Sequence, residues 1–239
     1  MESSQAKNYY ESLDIIKNIW QADKKSNFYY KEYIRYEAII KRIPKTTQQI
    51  LDLGCGDGFL SCQIAEKGYN VTSIDLSTNR LLRFKDQAER LNIRQLEGDI
   101  TNVKLPLESF DLIVCSEVIE HLPEYRLVLS ETFRLLKKGG FFIVTVPNNE
   151  KLKMLTCPHC LKIFYRDDHV NSFTRASLSE SLKQAGFQID KAQVLYSKIF
   201  NQIQYHLKLP YGIFVKTCDH LLSQIFKKYT FHLLIRAQK

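Results

Sequence analysis

The sequence predicts an α/β fold, a doubly wound parallel sheet with helices on both faces, and three observations predict it. Apolar strand-like runs alternate with amphipathic helix-like runs through most of the 239 residues. The first strand empties into a turn with glycine at three alternate positions, Gly54, Gly56 and Gly58. Acids stand at or near the ends of successive strands, Asp52, Asp75 and Asp99. Repeated strand, helix, strand units close into a parallel sheet because right-handed crossovers lay each helix back on the sheet. Ligands of such sheets lie beyond the carboxyl ends of the strands, where these glycines and acids fall.

Residues 1–44 read as an N-terminal helical cap ahead of a main domain over 45–239. The cap carries two candidate helices, YYESLDIIKNIW and FYYKEYIRYEAIIKRI, with apolar side chains recurring at spacings of three and four, and Pro44 closes it. Its tyrosines Tyr29, Tyr30, Tyr33 and Tyr36 serve either as core packing or as ligand contacts. In the main domain ILDL is the first strand and FLSCQIAEKG the helix after the glycines. YNVTSIDLS alternates as a second strand finishing on Asp75, TNRLLRFKDQAERL is a helix, and RQLEGDI is a third strand finishing on Asp99. FDLIVCSEVIEHLPE is the fourth strand and its exit, apolar enough over 110–115 for burial on both faces. A helix EYRLVLSETFRLLKKGG stops at Gly139 and Gly140, and FFIVTVPN is the fifth strand. SFTRASLSESLKQAGF is a helix capped by Ser172 or Thr174, FQIDKAQVLYS the sixth strand, and FHLLIRAQK the seventh.

A net charge of +8 and a pI near 9.1 suit an anionic partner, nucleic acid or a phospholipid surface, and equally an ordinary basic enzyme. Cys55, Cys62, Cys115 and Cys218 sit in apolar or glycine-rich segments as small buried fillers of a reducing compartment. The N-terminus is polar and no run of roughly 18 apolar residues occurs, so a cytoplasmic protein is expected. Oligomeric state is left open.

The glycine spacing argues against a dinucleotide, whose fingerprint would place its third glycine at position 59, where this chain has Phe59. DLGCGDG instead resembles motif I of the class I S-adenosylmethionine (SAM) dependent methyltransferases, and FDLIVCSEVIEHLPE resembles their motif IV. The resemblance covers roughly residues 45–196 and the last nine. It implies a seven-stranded sheet whose last strand inserts antiparallel beside the sixth, with SAM as cofactor. Asp52, Gly54, Cys55, Gly56 and Gly58 would then form the turn against the cofactor, with Ser116 contributing at the exit of the fourth strand. Asp75, with Leu76, would take the ribose, since a carboxylate at a strand end accepts hydrogen bonds from two vicinal hydroxyls. Asp99 would lie near the adenine amine, with Ile100 facing the ring.

A sulfonium methyl is already activated, so catalysis is mostly alignment in a dry site. For a hydroxyl acceptor a base helps, and His121, Glu117 and Glu120 stand at the mouth of the fourth strand as catalytic candidates, His121 first. The expected reaction is methyl transfer to an oxygen of a small molecule. The alternatives are a metal-assisted RNA 2′-O-methyltransferase and a SAM-binding protein without catalysis. In small-RNA 2′-O-methyltransferases an ExxEH motif and a later histidine bind a divalent cation, and some quinone-pathway O-methyltransferases look similar. This chain has Glu117, Glu120 and His121, with His169 at the comparable place, and such a set suits Mg²⁺ or Mn²⁺.

Two stretches exceed a minimal fold. Residues 151–171 form a CxxC loop insertion in which Cys157 and Cys160 have the spacing of a zinc half-site and His169 follows nine residues later as a third ligand. Some bacterial class I methyltransferases carry a similar CPxCGxxFHxxxH segment; here Leu161 replaces the glycine and Tyr165 the first histidine. His159 and Asp168 are candidates for the fourth ligand, and the competing reading is a metal-free loop with two free thiols. His169 cannot serve both metals, and its closeness to CPHC assigns it to zinc. Residues 199–229 form a basic helical insertion that packs on the sheet, covers the acceptor, or touches an anionic membrane peripherally.

Overall fold

A computed structural model describes residues 19–23, 26–207 and 213–239. The parallel part of the sheet comprises β1 (Gln49–Leu53), β2 (Asn70–Asp75), β3 (Arg94–Glu97), β4 (Phe110–Ser116) and β5 (Leu136–Pro147). Helices α1 (Asn27–Ile40), α2 (Phe59–Ala65), α3 (Thr78–Arg83), α4 (Lys85–Arg90) and α5 (Tyr125–Leu135) accompany these strands. A small hairpin, β6 (Met154–Thr156) and β7 (Ile163–Tyr165), precedes α6 (Arg175–Gln184) and β8 (Gln188–Ser197). Helices α7 (Lys198–Leu207) and α8 (Ile213–Ile225) lead to β9 (Thr230–Gln238). The sheet order is β3-β2-β1-β4-β5-β9-β8, and β9 runs antiparallel to both of its neighbours.

The core follows from the pleat. Alternate residues of the buried central strands go to opposite faces: Leu51, Leu53, Ile113 and Cys115 pack toward α5 and α6, while Ile50, Leu112 and Val114 pack toward α1 and α2. No helix among the described residues is long and apolar enough to cross a membrane.

Three local details depart from the sequence reading, and one expected helix lies mostly outside the described residues. Most of YYESLDIIKNIW lies outside the described residues, which begin with a 3-10 turn at Ile19–Gln21. The single helix expected over TNRLLRFKDQAERL is two, α3 and α4, because Phe84 leaves helical geometry (φ −119°) to drive a fully buried ring into the core. That ring lies where a Cβ on Gly58 would be, 2.3 Å away, so the third glycine of the turn is needed for packing. KKGG belongs to β5 and not to the preceding helix. Phe110 pairs with Leu136 and Leu112 with Phe141, so five steps on β5 face two on β4, and the extra residues bulge outward through Gly139 at φ +75°. Finally, the CxxC insertion is a β-hairpin with CPHC at its tip, closed by Cys157 N–H to Lys162 O (2.9 Å) and Leu161 N–H to Cys157 O (2.9 Å). Leu161 holds φ +58° there, a position where glycine would be unstrained.

Candidate functional site

A cavity of about 370 Å³ opens at the carboxyl ends of β1, β2 and β4. Gly54, Asp75, Leu76, Gly98, Asp99 and Ile100 line one side; Glu117, Val118, His121, Leu122 and Asp168 line the other. Gly54 is at φ +74°, and a Cβ on it would meet Val118 at 2.7 Å, so only glycine lets the two walls approach. Gly56, at φ +54°, has only the Arg80 guanidinium within 4 Å of its missing Cβ.

The first wall is built from local backbone. Asp75 accepts from Gly56 N–H through one oxygen (2.8 Å) and from Ser77 N–H through the other (2.9 Å), which locks the carboxylate and leaves a lone pair on each oxygen. Burial raises its pKa and these amides pull it back, with Arg80, which also lines the cavity. Asp99 accepts from Thr101 N–H (2.8 Å) and Oγ1 (2.7 Å) through one oxygen. Asp52 does not line the cavity. It is buried beneath the turn, takes the Ser61 hydroxyl at 2.6 Å, and is pushed up to about 6 by burial and by the charge of Asp75. Cys55, Gly56, Gly58 and Ser116 are likewise not among the lining residues; Ser116 shares a hydrogen bond with Thr145 (3.0 Å).

The second wall is assembled from remote segments. Glu117 ends β4 at φ +56° and receives His232 Nδ1 from β9 at 3.0 Å, with Arg35 of α1 3.8 Å away. Burial would raise the Glu117 pKa, but His232 and the permanent charge of Arg35 outweigh it and hold the carboxyl well below its usual range. Glu120 is 1% exposed, and neither of its carboxylate oxygens has a hydrogen-bond partner among the described residues; burial and then Glu117 push it well above the carboxylate range. One oxygen of Glu117, Oε1, is also unpartnered. His121, brought down to about 4 by burial and His169, is neutral at physiological pH. Its ring sits edge-on to that of His169, centroids 4.7 Å apart.

Ligand atoms of Glu120, His121 and His169 all lie within 4.8 Å of one another, the sole cluster of three or more such groups among the described residues. His169 therefore does not sit with Cys157 and Cys160, where its sequence position put it. Asp167 and Asp168, at φ +62° and +57°, turn the chain back, and Val170 and Asn171 N–H then bond Glu120 O at 2.9 and 3.0 Å. Glu150 holds His169 Nδ1; burial would lower this imidazole's pKa, and the Glu150 bond and charge raise it. Asp168 faces the cavity rather than the cysteines, and the described residues bring no further ligand to those thiols. Cys160 is exposed and Cys157 half-buried, and the Cys157 pKa is lowered by the backbone N–H groups of Cys160 and His159 and then by the Cys160 thiol.

Sequence reasoning missed Arg80, Glu150, His232 and Arg35. Only Arg80 carried a local signal, as a cation shortly after the acid that ends β2. The cap tyrosines do not line the cavity: Tyr30 is buried against Tyr196, while Tyr29, Tyr33 and Tyr36 pack on one another and on Phe59.

Residues 51–144 match the family model of a methyltransferase domain. A ubiquinone biosynthesis O-methyltransferase of Pseudomonas putida is 30% identical over 186 residues, covering 74% of this chain and 78% of the relative. Among solved structures, the cyclase SpnF superposes with a TM-score of 0.71 at 18% identity, covering 99% of this chain and 96% of that one. A 1,6-didemethyltoxoflavin-N1-methyltransferase of Burkholderia thailandensis, solved with its substrate and S-adenosylhomocysteine, superposes with a TM-score of 0.62 at 18% identity, covering 99% and 86%. At those identities the superpositions speak to fold alone, and the cyclase is a reminder that this fold hosts more than one chemistry.

Proposed function

Because the chain belongs to the class I S-adenosylmethionine-dependent methyltransferases, we propose that it methylates a hydroxyl oxygen of a small molecule held against Glu117 and His121. One observation carries the reading: a single cavity has Gly54, Asp75 and Asp99 on one wall and Glu117 and His121 on the other. The cofactor brings a methyl on a sulfonium that needs no acid to leave. Asp75 holds the ribose with its remaining lone pairs, and Asp99 with Ile100 borders the adenine. Val118 and Leu122 strip water from the reacting end. Neutral His121 can take the hydroxyl proton.

The residues of the second wall also fit a divalent cation. A buried carboxylate with two unpartnered oxygens, beside two imidazoles and a second acid, is a costly arrangement for a chain alone. We infer that Glu120, His121 and His169 hold it, with Glu117 Oε1 in reserve, and that Mg²⁺ or Mn²⁺ is the first candidate for this oxygen-and-imidazole set. A cation there would occupy the His121 lone pair, so His121 would then be a ligand and not the base, and the cation would instead lower the pKa of the acceptor hydroxyl. Cys157 and Cys160 remain a zinc half-site lacking two ligands.

The O-methyltransferase relative supports the oxygen acceptor. A metal-assisted RNA 2′-O-methyltransferase would use the same cluster, but the cap tyrosines are occupied by packing and offer no stacking platform among the described residues. Calorimetric titration with S-adenosylhomocysteine tests the cofactor. Mass spectrometry of small molecules from cell extract incubated with the chain and methyl-labelled SAM tests the acceptor. Absence of cofactor binding sinks the whole reading, and label appearing only in RNA sinks the small-molecule half.

A further inference from the structure

The basic insertion carries a surface that the methyl-transfer site does not use. At the end of α8 and in the turn after it, Leu221, Ile225, Phe226 and Tyr229 are 56%, 68%, 41% and 59% exposed. Leu221 and Ile225 are four residues apart on one helix face, and Phe226 and Tyr229 extend the apolar ridge into the turn. Lys227 and Lys228, within the same turn, also line a second cavity of about 230 Å³ together with Arg175 at the start of α6. The other polar liners include Asn149, Thr174 and Gln224, and no carboxylate lines it. Arg175, Lys227 and Lys228 enter no ion pair among the described residues, whereas Asp57, Asp111, Glu37 and Asp190 are each paired elsewhere. Asn148, just beyond β5, donates to Lys227 O (2.8 Å) and Thr230 Oγ1 (2.7 Å), which fixes the turn to the carboxyl edge of the sheet.

Three cations with no ion pair among the described residues, around one cavity that no carboxylate lines, call for an anion of phosphate size, and an exposed aliphatic and aromatic ridge close by in the same turn calls for an apolar phase. A bilayer with anionic headgroups supplies both at once: basic groups take the headgroup phosphates while Phe and Tyr sit at the interface. We propose that this face is a peripheral docking surface for an anionic lipid bilayer, with Arg175, Lys227 and Lys228 binding headgroup phosphate and Leu221, Ile225, Phe226 and Tyr229 entering the interfacial layer.

Co-sedimentation of the full chain with extruded vesicles tests it. Binding is expected to vesicles of phosphatidylcholine with phosphatidylglycerol and not to phosphatidylcholine alone, and to weaken as salt is raised. The double variant Lys227→Gln/Lys228→Gln should lower the partition coefficient roughly thirtyfold. Ile225→Ala/Phe226→Ala should lower it as well, with an unchanged thermal transition showing that both variants fold. No binding to anionic vesicles overturns the proposal, as does equal binding by the lysine variant. If the apolar variant binds like wild type while free glycerol phosphate displaces the chain, the cavity serves a soluble phosphate and the bilayer reading falls. Retention on single-stranded RNA but not on vesicles overturns it in favour of a nucleic acid.

Discussion

The two walls of the central cavity are built on opposite principles. On the first wall the acids are held by backbone amides: Ser77 and Thr101, each two residues on, bond Asp75 and Asp99, and Gly56 of the glycine turn bonds Asp75 from the neighbouring strand's exit. On the acceptor wall Glu117 and Glu120 come from one strand exit, but their surroundings come from α1, β9 and the loop carrying His169. There the Glu120 carboxyl has no hydrogen-bond partner among the described residues. A wall complete in itself needs a ligand only for function, whereas a wall with a buried orphan acid needs one to relieve its own electrostatics. On the proposed reading the first wall specifies what binds, and the second is where acceptor chemistry is decided.

Five experiments would break or sharpen this contrast. The largest effect is expected from Glu120→Gln or His169→Ala, which should lower kcat on the order of 10³-fold while S-adenosylhomocysteine affinity holds. Mn²⁺ or Mg²⁺ should raise the melting temperature of wild type and not of Glu120→Gln; an equal rise in both would remove the cation from this wall. Asp75→Ala acts on the other side and should weaken S-adenosylhomocysteine about 10- to 100-fold by calorimetry, since a hydrogen-bonded carboxylate is worth ~1.5–3 kcal/mol. Unchanged affinity would mean that the ribose lies elsewhere.

Gly58→Ala tests whether the turn is a packing device as well as a cradle. Its Cβ would fall on the Phe84 ring, at a backbone φ of +71°, so a loss of about 2–3 kcal/mol in denaturant unfolding is expected. The smallest effect concerns pH. Asp52 is raised to about 6 in the folded chain, above its unfolded value, so the folded state holds the proton more tightly. Its contribution to stability is full below about pH 4 and is lost as pH rises to about 6, a change of about 2 kcal/mol. Asp52→Asn should flatten that part of the stability profile, and an unaltered profile would assign the slope to other groups.

Legibility divides along the same line. The glycine turn and the placement of Asp75 and Asp99 at one cavity beyond the strand ends could be read because strand, turn and helix are local. Asp52 could not be placed, since its partner Ser61 lies across a turn and the pair is tied further to Ser73 of β2 (2.8 Å). His169 was drawn toward zinc by nearness in sequence to Cys157 and Cys160. In space the hairpin projects the cysteines outward, and two left-handed aspartates swing the histidine inward. Glu150, His232 and Arg35 gave no motif because they act only through what they touch.

By itself the sequence determined the doubly wound sheet and the glycine turn with Asp75 and Asp99 beyond the strand ends, while the antiparallel last strand followed from the family resemblance. Apolar periodicity and glycine placement are properties of short stretches, and short stretches carry them whole. Only the tertiary structure decided that Glu120, His121 and His169 form one cluster, that Arg35 and His232 hold Glu117 well below the usual carboxylate range, and that lysines of the last insertion meet Arg175 around a second cavity. Those are meetings between segments tens of residues apart. Their energies, a buried charge unpaired or a cation left without an acid, come into being only once the chain has closed on itself.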